Sequence, residues 1–163
     1  GLMSNYWFEE AKVNDLLRIE GPLGSFFVRE NDQENIIFLA TGTGVAPIKA
    51  ILESITESPK KLLNKKIWIF SGARNENDIF WQPNELNEVP NLEYIPVLSR
   101  ASEDWKGEKG YVQDVLIKQN ISLENSQVYA CGSNTMIESA KKLLIEKGLN
   151  KKNFFSDAFV ATN

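Results

Sequence analysis

The sequence predicts an α/β domain with a mostly parallel sheet of about five strands, preceded by the tail of an antiparallel β unit. Two patterns carry this prediction. From residue 36 onward, short apolar runs alternate with turns and with apolar residues at helical spacing. One of these runs, residues 36–40 (IIFLA), is unbroken, which suits a strand buried on both faces.

Residues 1–30 have a different character. Ser4 is placed to cap a short helix through 7–10, and residues 16–20 (LLRIE) alternate like a strand. Gly21-Pro22-Leu23-Gly24 turns the chain into a second strand at 25–29 (SFFVR). Two strands and one helix cannot bury a core alone, so their partners are expected upstream. The polar run 30–35 (ENDQEN) marks a boundary, dividing the chain into segments 1–30 and 31–163.

The first α/β unit is the most informative. Residues 36–40 run into Gly42 and Gly44, after which Val45, Ile48, Ile51, Leu52 and Ile55 recur on one helical face. Pro47 is tolerated because first-turn amides have no intrahelical acceptor. Glycines permit the tight turn, and the helix start aims free N–H groups and a positive dipole end at an anion, best satisfied by a pyrophosphate. The bland alternative is a glycine turn that only joins strand to helix. Pro47 replaces the third glycine of G-x-G-x-x-G, and Phe70-Ser71-Gly72 ends the next strand without an acid, which disfavours an ordinary dinucleotide dehydrogenase.

The remaining elements follow in order: a strand at 66–70 (KIWIF), a short helix near 82–88, a strand at 92–98 (LEYIPVL), a helix at 111–119 and a strand at 127–131 (QVYAC). A helix at 135–147 has capping-box spacing between Thr135 and Glu138, with Met136, Ile137, Ala140 and Leu144 on one face and Gly148 at its end. An apolar stretch at 154–160 (FFSDAFV) closes the chain.

Composition narrows the chemistry. With 163 residues and 42% apolar content, the chain can form a core, and its net charge of −4 and scattered lysine pairs argue against nucleic acid as a partner. No apolar run approaches the ~20 residues of a membrane span and no signal pattern opens the chain, so neither a membrane nor export is expected and the cytoplasm is the expected location. One cysteine excludes an internal disulfide, a four-cysteine zinc site or an iron–sulfur cluster held by this chain. Histidine is absent, which removes Ser-His and Cys-His nucleophiles, and no metal site is predicted. A bound redox cofactor is the economical source of chemistry, since hydride transfer asks mainly for positioning and electrostatics. The chain begins at Gly1 and enters patterned sequence at once, so a fragment of a longer protein is expected.

Four strand exits end in small, polar or turn-forming residues: Ala40-Thr41-Gly42, Ser71-Gly72-Ala73-Arg74, Ser99-Arg100 and Cys131-Gly132-Ser133. In a parallel sheet all four share one edge, where ligands of open α/β sheets bind. Arg74 and Arg100 could clamp phosphates or stack on a base, or be solvated surface groups. Asp78 could shape an adenosine site or simply begin a short helix. Trp105 could lie in a loop over the edge or plug that loop. Cys131 could abut a flat ring or be a small buried hydrophobe.

In the same order, GTGVAP (42–47), SGARNENDIF (71–80), LSR (98–100), WKGEKGYVQD (105–114), CGSNTMI (131–137) and FFSDAF (154–159) resemble the pyridine-nucleotide domain of the ferredoxin-NADP reductase superfamily. Residues 1–29 resemble the end of that family's antiparallel flavin-binding barrel, and GLMSNYWFEEAK with IEGPLGSFFVRE resemble its CDP-6-deoxy-glucoseen reductase branch, which serves deoxysugar synthesis. The resemblance implies a Rossmann-like nucleotide-binding domain. It places Gly42, Thr43, Gly44 and Pro47 on the pyrophosphate and Arg74, Asp78, Ser99 and Arg100 around the adenosine half, with Tyr111 among the cofactor-binding residues. Cys131, as the catalytic contact, and Gly132 lie against the nicotinamide, Met136 counts among the cofactor-binding residues, and Phe159 and Ser4 approach the flavin.

Family members pass hydride from NAD(P)H to FAD, which sends electrons to a two-iron two-sulfur cluster. In the deoxysugar branch the implied acceptor is a pyridoxamine-phosphate-dependent sugar dehydrase. Ser99, Arg100, Lys109 and Tyr111 resemble 2′-phosphate-holding groups, but NADH-using members share LSR and the Trp-Gly loop, and the balance leans to NADH. The Arg-x-Tyr-Ser flavin motif and the cluster cysteines are absent from this chain, so FAD and the cluster are expected only in the full-length enzyme. A reductase of a ring-hydroxylating dioxygenase, a stand-alone flavin reductase and a non-catalytic nucleotide-binding module are the competing expectations.

Overall fold

The computed structural model describes residues 2–21, 23–57, 64–79, 81–83, 89 and 91–158. Its sheet contains β1 (Asn35–Thr41), β2 (Lys66–Ala73), β3 (Leu92–Leu98), β4 (Glu108–Lys109), β5 (Ser126–Gly132) and β6 (Phe154–Ala158). All neighbours pair in parallel, in the order β4-β3-β2-β1-β5-β6. The expected five strands are present. The sixth, β4, is a two-residue addition against Val97 and Leu98, too short to leave a periodic signal.

Residues 36–40 of β1 are fully buried, as an unbroken apolar run requires. Ile36, Phe38 and Ala40 join one core with Val45, Ile48 and Leu52 of α2 (Val45–Glu57). Ile37 and Leu39 point to the other face, into a core with Val112, Val115 and Leu116 of α3 (Val112–Lys118) and Ile137, Ala140 and Leu144 of α4 (Asn134–Glu146). Strand order runs outward in opposite directions from β1 and β5, and right-handed crossovers therefore place α2 opposite α3 and α4. The switch point lies between the C-terminal ends of β1 and β5.

Several local expectations change. Ser4 lies within a short helix α1 (Leu2–Asn5), followed by a π-helical turn over Tyr6–Glu10, so it does not cap a helix through 7–10. Residues 16–20 and 25–29 form no strand. A two-stranded unit without a packed face is marginal in water, and here residues 11–21 and 23–25 are exposed. The helix near 82–88 falls largely outside the described residues. The cap of α4 is Ser133 and not Thr135: the Ser133 Oγ accepts the Met136 N–H at 3.3 Å. Gly148, at φ +106°, ends that helix as expected, with the Leu149 N–H donating to the Leu144 carbonyl at 2.9 Å.

Candidate functional site

The exits of β1, β2 and β5, with the residues after β3 and the N-termini of α3 and α4, enclose a cleft of about 1370 Å³ over the switch point. Nine of the expected site residues line it: Gly42, Thr43, Arg74, Asp78, Ser99, Arg100, Tyr111, Gly132 and Met136. Topology brings them together, because parallel strands deliver every loop to one edge.

A single 3₁₀ turn, Gly42–Gly44, connects β1 to α2, with the Val45 N–H donating to the Gly42 and Thr43 carbonyls. The two glycines serve different ends. Gly42 sits at φ +54°, where a side chain is strained, and a Cβ there would have nothing within 4 Å. Gly44 is buried against β5, where a Cβ would lie 2.5 Å from the Cys131 carbonyl carbon and 2.8 Å from the Gly132 nitrogen. Gly44 therefore lets the turn seat on its neighbouring strand. Thr41 precedes the turn without capping it, since its Oγ1 accepts the Ser133 N–H at 3.3 Å. The turn amides are left without a side-chain cap at the mouth of the cleft, a donor set suited to an anion.

Across the cleft, the exits of β2 and β3 are tied together. The Ser99 N–H and Oγ both donate to the Ala73 carbonyl, at 3.0 and 3.3 Å, and the Arg100 N–H donates to the Arg74 carbonyl at 2.8 Å. Both guanidinium-bearing residues are exposed, and the one ion pair among the described residues is Lys49–Glu53 on α2. Two guanidiniums with no ion pair among the described residues thus line the cleft together with the carboxylates of Asp78 and Asp114. Asp78 closes a 3₁₀ turn by accepting the Asn75 N–H at 3.0 Å, so its carboxylate has a structural partner as well as a cleft position. Tyr111, 64% exposed, presents a ring to the cleft.

Trp105 packs on its own loop: its Nε1 donates to the Glu108 carbonyl at 3.0 Å, and a Cβ on Gly107 would fall 2.6 Å from its ring. It braces the segment that carries Lys109 and Tyr111 and does not line the cleft. Lys109 is turned away, donating to the Ser102 carbonyl at 2.9 Å.

Four expected residues lie elsewhere. Cys131 is fully buried in the α2-side core, and burial, reinforced by the nearby Asp157 charge, pushes its thiol up to about 11. It is thus a neutral, closely packed group at neutral pH. Pro47 faces a second groove beneath residues 26–31, Gly44 lies behind the turn, and Ser4 is exposed on α1. Phe159 lies outside the described residues.

Ser133 and Gln113 were not singled out by sequence reasoning. Ser133 joins the two central exits through Thr41, a contact across 92 residues that no local pattern reveals. Gln113, 5% exposed and lining the cleft, donates from Nε2 to the Ser139 Oγ at 3.2 Å and so ties α3 to α4. Its only signal was membership of the 105–114 motif. Among the described residues no group of three potential ligands could hold a metal, and no helix is long and apolar enough to cross a membrane.

The chain is similar to several known proteins. It is 41% identical to Protein RfbI of Salmonella typhimurium, over all of this chain and 49% of that protein. It is also 41% identical to the CDP-6-deoxy-L-threo-D-glycero-4-hexulose-3-dehydrase reductase of Yersinia pestis, over 98% of this chain and 48% of that one. The anthranilate 1,2-dioxygenase electron transfer component of Acinetobacter baylyi is 32% identical over all of this chain and 47% of its own length. The chain spans about half the length of these relatives. The Amycolatopsis cytochrome P450 reductase GcoB shares the fold, with a TM-score of 0.81 at 22% identity over 97% of this chain and 48% of that chain. The family model described as an oxidoreductase NAD-binding domain matches residues 38–142, spanning the glycine turn, the arginine-bearing rim and the start of α4. The chain belongs to this family, the pyridine-nucleotide half of the ferredoxin-NADP reductase plan.

Proposed function

We propose that the chain is the NAD(P)H-binding part of a flavin-dependent oxidoreductase, with NADH slightly preferred. The observation that carries this reading is the cleft itself: uncapped amides of the Gly42–Gly44 turn face a rim bearing Arg74 and Arg100 across the switch point. These residues fit a dinucleotide. The turn amides would take the pyrophosphate, Arg74, Arg100, Asp78 and Ser99 would surround the adenosine half, and Tyr111 would offer its ring to the base. Gly132 and Met136 would border the nicotinamide, with Cys131 packed behind as a neutral contact and Pro47 and Gly44 supporting the turn. Lys109 supports NADH over NADPH, because its ammonium is engaged by the Ser102 carbonyl and is withdrawn from a 2′-phosphate.

When bound in the rest of the protein, FAD would supply the hydride acceptor. Residues 2–21 and 23–25 build no enclosed site by themselves, so the flavin contacts assigned to Ser4 and Phe159 require the remainder of a barrel. Onward transfer through a two-iron two-sulfur cluster to a pyridoxamine-phosphate-dependent sugar dehydrase in the cytoplasm is the reading favoured by similarity to the hexulose-dehydrase reductase. The second reading, a reductase for a ring-hydroxylating dioxygenase, is supported by the lower similarity to the anthranilate dioxygenase component.

Calorimetric titration with NADH, NADPH and ADP-ribose tests the shared core of both readings. Binding of all three is expected, with ADP-ribose retaining most of the affinity. Absence of binding by any of them refutes the oxidoreductase reading.

A further inference from the structure

Residues 26–33 cross the α2 face of the sheet as an irregular strap, and they are held by point contacts. The Arg29 N–H donates to the Tyr129 hydroxyl at 2.7 Å, and that hydroxyl donates in turn to the Gln127 Oε1 at 3.2 Å. The fully buried Tyr129 ring stacks on Phe155 at 4.9 Å and meets the edge of Phe26 at 5.9 Å. The Arg29 guanidinium sits 3.9 Å over the Phe27 ring and 5.5 Å from that of Phe155. Further along, the Lys65 ammonium donates to the Asn31 and Gln33 carbonyls. Between strap and α2 a groove of about 730 Å³ stays open, lined by Phe26, Arg29, Pro47, Ile51 and Ile55 among others. Packing of Phe26 and Val28 against the core therefore fills only part of this interface, and the hydrogen bond from the Arg29 N–H to Tyr129 is the strap's direct backbone tie to β5.

Tyr129 and Cys131 lie on the same face of β5, two residues apart, in one core cluster. The strap is thus pinned to the strand that forms the end of the cleft beside Gly132. On its other side it leads into residues 2–21 and 23–25, several of whose apolar side chains stand open: Leu16 is 100% exposed, Leu2 87% and Phe8 85%.

We propose that Tyr129 is a positioning residue for hydride transfer: by pinning Arg29 to β5, it sets the pose of the flavin-bearing half over the nicotinamide end of the cleft. This rests on the function proposed above. The step it governs moves two electrons and one proton, as hydride, from dihydronicotinamide to oxidised flavin, leaving NAD+ and anionic reduced flavin. Such a step is sensitive to placement, since a misalignment on the order of 1 Å can cost about 100-fold in rate. Burial raises the Tyr129 hydroxyl above the usual phenol range, which keeps it protonated and able to hold both contacts.

Tyr129→Phe keeps the ring and deletes the pin. In this chain, hydrogen exchange of the Arg29 amide is expected to speed up at least about tenfold, with ADP-ribose affinity unchanged within about twofold. An Arg29 amide as protected as in the wild type would overturn the pin. In the protein carrying its flavin-binding half, rapid mixing with saturating NADH should show flavin reduction slowed about 10- to 100-fold, with the half-saturating NADH concentration unchanged. A wild-type reduction rate despite a deprotected Arg29 amide overturns the coupling alone. If the wild-type protein itself neither binds NADH nor bleaches its flavin, the reading of the cleft falls and the coupling with it.

Discussion

Substituting alanine at each glycine of the turn separates two roles that look alike in the sequence. At Gly44 the new methyl would meet the Cys131 carbonyl carbon at 2.5 Å and the Gly132 nitrogen at 2.8 Å, both backbone atoms of a strand held by β1 and β6. Neither neighbour is a flexible side chain that could swing aside. The turn must lift from β5 instead, an overpacking cost of about 1–3 kcal/mol. For a domain of this size, about 2 kcal/mol corresponds to a Tm drop of roughly 4–8 °C. At Gly42 nothing lies within 4 Å of the added methyl, and only the φ of +54° opposes it. That left-handed conformation costs roughly 1–2 kcal/mol without moving the turn. Urea unfolding and calorimetry with ADP-ribose on both variants read the difference. Gly44→Ala should lose stability and at least about tenfold in affinity, or 1.4 kcal/mol, while Gly42→Ala should lose stability with a smaller affinity change. A Gly44→Ala protein within about 0.5 kcal/mol of wild type that binds ADP-ribose normally would refute the seating of the turn on β5.

Three further outcomes are expected. Removing Arg74 and Arg100 singly should each weaken ADP-ribose binding by about 3- to 10-fold and flatten its salt dependence, measured by calorimetry at two ionic strengths; unchanged affinity in both would make them solvated surface groups. Because the Cys131 thiol is raised from about 9.0 to about 11, its contribution to stability is fully present below pH 9 and falls as pH rises from there through 11, where the unfolded chain ionises first; Cys131→Ala should remove that share of the alkaline loss in urea titrations, while half-buried Tyr94 and buried Tyr129, both also raised by burial, add a loss in the same direction. In the flavin-bearing protein, Cys131→Ser should slow hydride transfer with nucleotide affinity held within about a factor of ten, or 1.4 kcal/mol, and an unchanged reduction rate would leave Cys131 a packing residue.

What the sequence determined by itself is the order and span of the main elements. The apolar runs at 36–40 and 128–131 suit strands covered on both faces, and both lie in central strands. Parallel strands then forced four turn-forming exits onto one edge, which made the position of the cleft readable before any geometry was known. The strands expected at 16–20 and 25–29 were not determined in this way, since an alternating pattern specifies a strand only where a partner supplies the ladder.

Tertiary structure alone decided what each site residue does, because burial and long-range hydrogen bonds are not local properties. Thr135 and Ser133 are both cap-competent by composition. The choice of Ser133 accompanies its N–H bond to Thr41, 92 residues away. Gly42 and Gly44 are equivalent as letters, yet one answers to a backbone angle and the other to the approach of β5. On the residues alone Cys131 stands open between contact with a flat ring and a small buried hydrophobe, and alternation along β5 turns its side chain into the α2-side core while Gly132 beside it opens on the cleft.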